Sequence, residues 1–199
     1  MQRSKEEIEQ IARRMRVEHF GEDYRNASLS RLVFPQELES AANALKKFTD
    51  QKCNAKYFLI FTGPTGTSKT FISAALVEWG VEWFYPCFRI WKEYRLNSRI
   101  KKGYDMGLDH TETLDGLIDH RLVMIDDVGA NSATDWCEER LFEAIEMRYS
   151  SLLPTIFTTN LSKKDFYDRY HERIGSRLFA TRNTVIDTTG FPDFRTLGY

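Results

Sequence analysis

The stretch Gly63-Pro64-Thr65-Gly66-Thr67-Ser68-Lys69-Thr70 decides the fold of this 199-residue chain. It departs at one position from the phosphate-binding pattern GxxxxGK[ST], because Ser68 stands where the pattern has its second glycine. The apolar run at residues 57–62 predicts a buried strand before the loop, and a helix pattern starts at Thr70. In such a loop the backbone N–H groups converge on phosphate oxygens, Lys69 reaches the outer phosphates and Thr70 ligates Mg²⁺. The alternative is a glycine-rich turn with a solvated lysine; the flanking strand and helix favour the nucleotide site.

Strand and helix patterns alternate along the rest of the chain. The further strands are predicted at residues 87–90, 122–125, 154–158 and 184–187, and the helices at residues 70–81, 91–102 and 135–150. Parallel strands are joined by helical crossovers, so this alternation predicts a mostly parallel sheet that helices cover on both faces. Two more helices are predicted ahead of the first strand, one opening at Ser4 and one over residues 36–49.

The composition excludes several classes of protein. A formal net charge of −1, with 29% charged and 42% hydrophobic residues, fits a globular domain and not a basic nucleic-acid coat, so any contact with DNA needs a local patch. The three cysteines lack paired spacing, which argues against a zinc site or a disulfide framework and makes a reducing cytoplasm the simplest location. No apolar run reaches membrane-spanning length, and we expect no membrane association.

A second motif complements the loop. Residues 121–127, RLVMIDD, form an apolar strand that ends in two carboxylates. The carboxyl ends of parallel strands share one edge of a sheet, where Asp126 is expected to hold the Mg²⁺ shell and Asp127 to orient or deprotonate the attacking water. The alternative is a strand-end turn whose aspartates cap a helix.

Two polar features follow the second motif. Residues 155–160, TIFTTN, place Asn160 at a strand tip, where its amide is suited to hold a water molecule near a γ-phosphate. Residues 172–178, ERIGSRL, set Arg173 and Arg177 four positions apart on one helical face. Taken alone, two such arginines are most simply surface ion-pair residues.

The order of these motifs resembles that of the AAA+ ATPases, in particular the DnaC/DnaI-type replicative helicase loaders of bacteria and phages, with the IstB transposition ATPases nearby. The resemblance runs from YRNASL at residues 24–29, through the motifs above, to GFPDFR at residues 190–195. It implies a three-layer α/β P-loop core over residues 51–199, with a five-stranded parallel sheet in order 5-1-4-3-2 and no separate C-terminal lid. A short helical extension, residues 1–50, would precede this core.

The resemblance also implies roles at the nucleotide site. Lys69, Thr70 and Asp126 would bind Mg-ATP, Asp127 would be the catalytic acid, and Asn160 would be the polar sensor at the strand tip. The preference for adenine over guanine rests on the resemblance alone.

Three arginines receive roles from the same resemblance. Arg177 would be the arginine finger that reaches the ATP of a neighbouring subunit, with Arg173 beside it, so self-association through the ATP interface is expected. Arg195 would sense the γ-phosphate. Ser68 departs from the family pattern: if its φ is positive, the residue costs about 1–2 kcal/mol, partly offset if its hydroxyl meets a phosphate oxygen. We therefore expect ATP binding with slow or partner-dependent turnover.

A cationic helix face is predicted after the second strand, formed by Lys92, Arg95, Arg99 and Lys102. Their spacing of three, four and three residues keeps them within an arc of about 80°. Trp91 and Tyr94 lie close by and are suited to stack on bases. In the loaders that the chain resembles, the corresponding region lines a channel for single-stranded DNA. The alternative is a solvated amphipathic face.

These features predict an ATP-dependent loader that places a replicative helicase onto single-stranded DNA. Two alternatives stay open: an IstB-like regulator of transposition, and a nucleotide-binding helicase adaptor or inhibitor whose hydrolysis is weak or absent because of Ser68. The first predicted helix, with Ile8, Ile11 and Ala12 on one stripe, either packs on its own domain, which the pattern favours, or docks a partner protein.

Overall fold

A five-stranded parallel sheet organises the part of the chain that the structure describes. The computed structural model describes residues 3–32, 34, 36–107, 117, 119–130, 135–170 and 172–193. The strands are β1 (Phe58–Thr62), β2 (Phe88–Lys92), β3 (Leu122–Val128), β4 (Thr155–Thr159) and β5 (Thr184–Asp187). They lie in the order β2-β3-β4-β1-β5, with every neighbouring pair parallel. The predicted order 5-1-4-3-2 is confirmed.

Helices flank this sheet. They are α1 (Lys5–Phe20), α2 (Glu39–Thr49), α3 (Lys69–Phe84), α4 (Glu93–Asp105), α5 (Asp135–Ser150), α6 (Lys163–Arg169) and α7 (Glu172–Leu178). Helix α2 starts later than predicted because residues 36–38 form a 3₁₀ turn, and α4 starts later because Trp91 and Lys92 belong to β2. Among the described residues, none of the helices combines the length and the apolar character that a membrane span requires.

The core lies on both faces of the sheet. Strand β1 shows why, since its residues are buried throughout and alternate between two clusters. Leu59 and Phe61 pack with α1, α2 and α3 on one face, while Phe58 and Ile60 pack with α4 to α7 on the other. A strand that is apolar at every position needs cover on both sides, so the three-layer arrangement follows directly from the sequence of β1.

Helix α1 packs against α3. Its start is capped by Ser4, whose Oγ accepts a hydrogen bond from the Glu7 N–H at 3.2 Å, as predicted. The buried Arg16 side chain then reaches across to α3, where its Nε donates to the Ala74 carbonyl at 3.1 Å and its Nη2 pairs with Glu78 at 3.2 Å. Helix α1 thus packs on its own domain, the alternative that the pattern favours; docking of a partner protein stays a prediction.

One buried arginine fixes the starts of β3 and β4. The Arg148 guanidinium, on α5, is fully buried and donates to the carbonyl oxygens of Leu117 and His120, and to Pro154 O at 2.8 Å and Thr155 Oγ1 at 2.7 Å. Burial lowers its pKa to about 9. These bonds hold together the chain segments that lead into two neighbouring strands, and nothing in the sequence analysis singled out this residue.

Candidate nucleotide site

A cavity of about 280 Å³ lies at the carboxyl edge of the sheet, beside the loop that joins β1 to α3. Its lining residues are Tyr24, Thr65, Gly66, Thr67, Ser68, Lys69, Thr70, Phe71, Asp127, Ala130 and Asn160. The structure thus brings the predicted loop, one of the two predicted carboxylates and the predicted strand-tip amide into one place. A cleft outside the carboxyl ends of parallel strands is where such folds bind ligands.

The loop backbone has the conformations that its small residues favour. Gly66 has a φ of +84°, and a side chain at Gly63 would place Cβ 2.6 Å from the Thr188 hydroxyl. Ser68 has a φ of +62° and a ψ of +14°, which is the left-handed region and the case in which a serine is strained. The cost of about 1–2 kcal/mol that is expected if the φ of Ser68 is positive therefore applies.

The Ser68 hydroxyl donates a hydrogen bond to the carbonyl oxygen of Pro192 at 2.6 Å. This bond offsets the backbone strain within the protein itself, and the suggested contact with a phosphate oxygen stays a prediction. A second bond joins the same two segments, since the Thr67 and Thr188 hydroxyls lie 2.7 Å apart. The segment after β5 is thus fastened to the phosphate loop. Arg195 lies outside the described residues, and its sensor role stays a prediction.

Lys69 is held inside the loop. Its Nζ donates to the carbonyl oxygens of Gly63 and Pro64, both at 2.6 Å, and the residue is only 6% exposed. Burial lowers the pKa of the ammonium group, while Asp127 and Asp126 oppose the shift. The alternative of a solvated lysine on a plain glycine-rich turn is wrong.

Strand β3 is irregular at its carboxyl end, where its two aspartates lie. The pairing of β3 with β4 shifts register between Ile125 and Val128, and Asp127 has a φ of +60°. The Thr158 hydroxyl on β4 donates to Asp126 Oδ1 at 2.6 Å and accepts from the Asp127 N–H at 2.9 Å. One threonine therefore fixes both residues at the edge of the sheet, and within the described ranges neither aspartate side chain caps a helix.

Asp126 carries the strongest evidence for a cation. It is completely buried, and its Oδ2 has no hydrogen-bond partner among the described residues. Burial and then the Asp127 charge raise the pKa of Asp126 to about 6, against weaker opposing effects of Thr158, Lys92 and Lys69. A buried carboxylate oxygen without a partner is destabilising unless a cation approaches it.

The donor set fits Mg²⁺ bound together with phosphate. Within the described residues, His, Cys, Asp and Glu side chains form no group of three that could hold a metal ion by itself. Mg²⁺ at sites of this type takes one or two protein oxygens and completes its shell with phosphate oxygens and water. Asp126 supplies a free carboxylate oxygen, and Thr70 lines the adjoining cavity.

Two residues at the site were missed by sequence reasoning. Glu93, the first residue of α4, is 2% exposed; it accepts from the Gly129 N–H at 2.9 Å and from the Tyr170 hydroxyl at 3.0 Å, and burial raises its pKa. It ties α4 to the chain just beyond β3, but in the sequence it resembles any acidic residue at a helix start. Tyr24 forms a cavity wall and contacts the Phe71 ring.

The two predicted interface arginines lie on α7. Arg177 Nε donates to Glu146 Oε2 at 2.5 Å, and its guanidinium lies 5.6 Å from the centre of the Tyr149 ring. Arg173 is exposed. Neither arginine belongs to the described lining of the cavity. Their placement therefore does not indicate a contact with nucleotide in the same subunit. A role in the site of a neighbouring subunit stays a prediction.

The predicted cationic helix face needs one correction. Arg95, Arg99 and Lys102 are exposed on α4, but Lys92 lies on β2, where it is the register partner of Asp126. Its charge also lowers the pKa of that carboxyl group. The prediction that Lys92 shares the helix face is wrong, because β2 continues two residues further than its apolar run.

The fold has counterparts among known proteins. A family model described as IstB-like ATP binding protein matches residues 7–194, whereas a comparison with curated proteins finds no match. Similar solved structures include the DnaC helicase loader (TM-score 0.70, 23% identity, covering 82% of this chain and 97% of that one) and DnaI (TM-score 0.66, 21% identity, covering 84% and 90%).

The replication initiator DnaA bound to AMPPCP and single-stranded DNA is also similar, with a TM-score of 0.68 and 16% identity over 81% of this chain and 49% of that one. At these identities the solved structures establish a shared fold. The family match spans nearly the whole chain. The protein therefore belongs to the family of IstB-like ATP-binding proteins.

Proposed function

We propose that the protein is an ATP-dependent loader that places a replicative helicase onto single-stranded DNA. The observation that carries the ATP-dependent part is the buried Asp126 carboxylate, whose free oxygen lies at the same sheet edge as the Lys69 loop. Membership of an ATP-binding family supports the same conclusion. The likeness to the DnaC helicase loader supports the choice of partner.

The residues of the site divide the work of hydrolysis between them. The loop N–H groups and Lys69 bind the phosphates. When the phosphates bind, the Lys69 ammonium group exchanges its bonds to the carbonyl oxygens of Gly63 and Pro64 for bonds to phosphate oxygens. Asp126 and Thr70 hold Mg²⁺, which when bound neutralises developing negative charge. Asp127 and Asn160 border the cavity, where they orient the attacking water.

The arginine on α7 completes the site from a second copy of the chain. Arg177 is only half-buried and is paired with a half-exposed carboxylate, Glu146. An ion pair of this exposure contributes about 0–1 kcal/mol, so it can be exchanged for a phosphate contact. ATP then bridges two subunits. Hydrolysis weakens the interface between them and releases the helicase.

A second candidate function is favoured by a specific observation. The matching family model is described by IstB, which supports a regulator of transposition that acts through the same nucleotide site. A helicase adaptor or inhibitor with weak hydrolysis is the third, favoured by the strained backbone of Ser68. All three bind ATP, and they differ in partner and turnover.

Hydrolysis with and without single-stranded DNA tests the proposal. We expect an oligonucleotide to stimulate steady phosphate release, and we expect Arg177→Ala to abolish the stimulation; Arg13→Ala, an exposed arginine on α1, is the matched control. Loading is measured as unwinding of a forked substrate by the host replicative helicase. ATP binding without turnover favours the adaptor, and co-purification with a transposase instead of a helicase favours the transposition regulator.

A further inference from the structure

A second cavity lies between α1, β2 and α4, away from the nucleotide loop. Its volume is about 490 Å³, which is within the range of small-molecule sites. The lining residues are Arg14, Met15, Glu18, His19, Tyr85, Arg89, Ile90, Trp91, Arg95, Arg99 and His120. We call this cavity the α1–α4 groove. Two of its arginines, Arg14 and Arg89, belong to no motif described above.

The orientation of α1 brings Arg14 into the groove. Arg16 fastens one side of the helix to α3 through its bonds to Ala74 and Glu78. Arg14 precedes Arg16 by two residues, which is a rotation of about 200° around a helix. It therefore lies on the side of α1 opposite the anchoring side chain, and the packing of α1 on α3 positions it.

The groove concentrates positive charge with little to neutralise it. Four guanidinium groups line it against one carboxylate, that of Glu18. Among the described residues, Arg14 and Arg89 have no ion pair or hydrogen bond, and Arg95 donates only to the Tyr94 hydroxyl at 3.0 Å. Burial lowers the pKa of His19 in the same groove, where Arg95 and Arg89 reinforce the shift and Glu18 opposes it. A cavity of this kind attracts anions, and guanidinium groups match phosphate in shape.

An aromatic donor lies beside the arginines. The Arg99 guanidinium lies 5.5 Å from the centre of the Trp91 ring, and the Trp91 Nε1–H is buried without a partner among the described residues. Tyr94, which follows three residues later and contacts Arg95, is 47% exposed. Aromatic rings next to guanidinium groups bind the alternating bases and phosphates of single strands, whereas a run of aspartate and glutamate residues offers no ring to stack on them.

We propose that the α1–α4 groove binds single-stranded nucleic acid, with phosphates on Arg14 and Arg89 and a base at Trp91. Helix α1 is thereby the second wall of a nucleic-acid track whose first wall is α4. This inference rests on the proposed function, and it extends the DNA contact from one helix face to a groove with two sides.

Fluorescence anisotropy with a labelled 20-nucleotide oligo-dT tests the groove, with Mg²⁺ and with or without a slowly hydrolysed ATP analogue. Arg14→Glu and Arg89→Glu are each expected to weaken binding at least tenfold, and to reduce the dependence of log K on log salt by about 0.7 for each phosphate that is no longer neutralised. Arg13→Glu carries the same charge change on an exposed position of α1 and is expected to stay within threefold. The milder Arg14→Gln provides a second variant if charge reversal disturbs folding.

The outcomes separate this inference from the proposed function. Oligo-dT binding that is unchanged in Arg14→Glu and Arg89→Glu overturns the groove and leaves DNA contact through α4 standing. No binding by the wild-type chain in either nucleotide state overturns both. Competition by tripolyphosphate or poly-glutamate as effective as unlabelled oligo-dT, at equal charge, overturns the assignment to nucleic acid, since the groove would then select charge alone.

Discussion

Asp126→Asn is expected to stabilise the protein when neither Mg²⁺ nor nucleotide is bound. The wild-type carboxylate is completely buried, with one oxygen bonded to Thr158 and the other without a partner among the described residues. Asparagine keeps an acceptor for the Thr158 hydroxyl and removes the buried negative charge. The substitution therefore exchanges function for stability, as is common at active sites.

The magnitude follows from the pKa of Asp126, which the fold raises from 3.8 to about 6. Each pKa unit corresponds to about 1.4 kcal/mol. A raised pKa in the folded state means that the folded protein binds the proton more tightly, so stability falls as the pH rises from 3.8 through 6. At pH 7.5 the ionised Asp126 lowers the free energy of unfolding by about 3 kcal/mol, and at pH 5 it lowers that free energy by about half as much. For a chain of this length, the variant should unfold about 6–12 °C higher at pH 7.5.

Differential scanning calorimetry in EDTA measures this difference at pH 7.5 and pH 5. Asp168→Asn, which neutralises an exposed aspartate on α6, is the control and is expected to change the free energy of unfolding by less than about 0.5 kcal/mol. A variant no more stable than wild type at pH 7.5, or an advantage that does not shrink at pH 5, refutes the account of a strained carboxylate at this position.

Three further predictions concern other contacts of the protein. Ser68→Gly relieves the strain of the positive φ but loses the bond to Pro192, so the free energy of unfolding should change by less than about 1 kcal/mol. Ser68→Ala keeps the strain and loses the bond, so it should lower the free energy of unfolding by about 1–2 kcal/mol. Chemical denaturation of the wild type and the two variants measures these differences. Arg148→Met leaves several buried carbonyl oxygens without donors and should destabilise by at least about 3 kcal/mol, and a loss below about 1 kcal/mol on denaturation contradicts the assigned role. Glu146→Ala frees Arg177 and should raise ATP-dependent self-association about two- to fivefold in analytical ultracentrifugation, in line with a half-exposed ion pair; weaker association contradicts the finger assignment.

The sheet was predictable from the sequence because its signals are local. An apolar run such as residues 58–62 must be covered on both faces of the sheet. The loop after it, residues 63–70, has a composition that is typical of phosphate-binding loops. The strand order came from the resemblance, since no local pattern states which strands are neighbours. The boundary error at Lys92 has a physical cause: the charged residue still completes a ladder with β3 because it is the register partner of Asp126.

The contacts that the sequence could not supply are long-range. Glu93 meets Gly129 and Tyr170 across 36 and 77 positions of the chain, and nothing near Glu93 distinguishes it from an ordinary helix-start carboxylate. The bond from Ser68 to Pro192 spans 124 positions, so the loop serine looked like a defect before its partner was known. Arg14 became notable only when the packing of α1 placed it beside β2.

Titration with a fluorescent ATP analogue, with and without Mg²⁺, tests the central claim most directly. We predict saturable binding that Mg²⁺ strengthens, that Lys69→Ala abolishes, and that loses its response to Mg²⁺ in Asp126→Asn. Binding that is absent in the wild-type protein, or that proceeds unchanged in Lys69→Ala and with the same response to Mg²⁺ in Asp126→Asn, contradicts a magnesium–nucleotide site at this edge of the sheet.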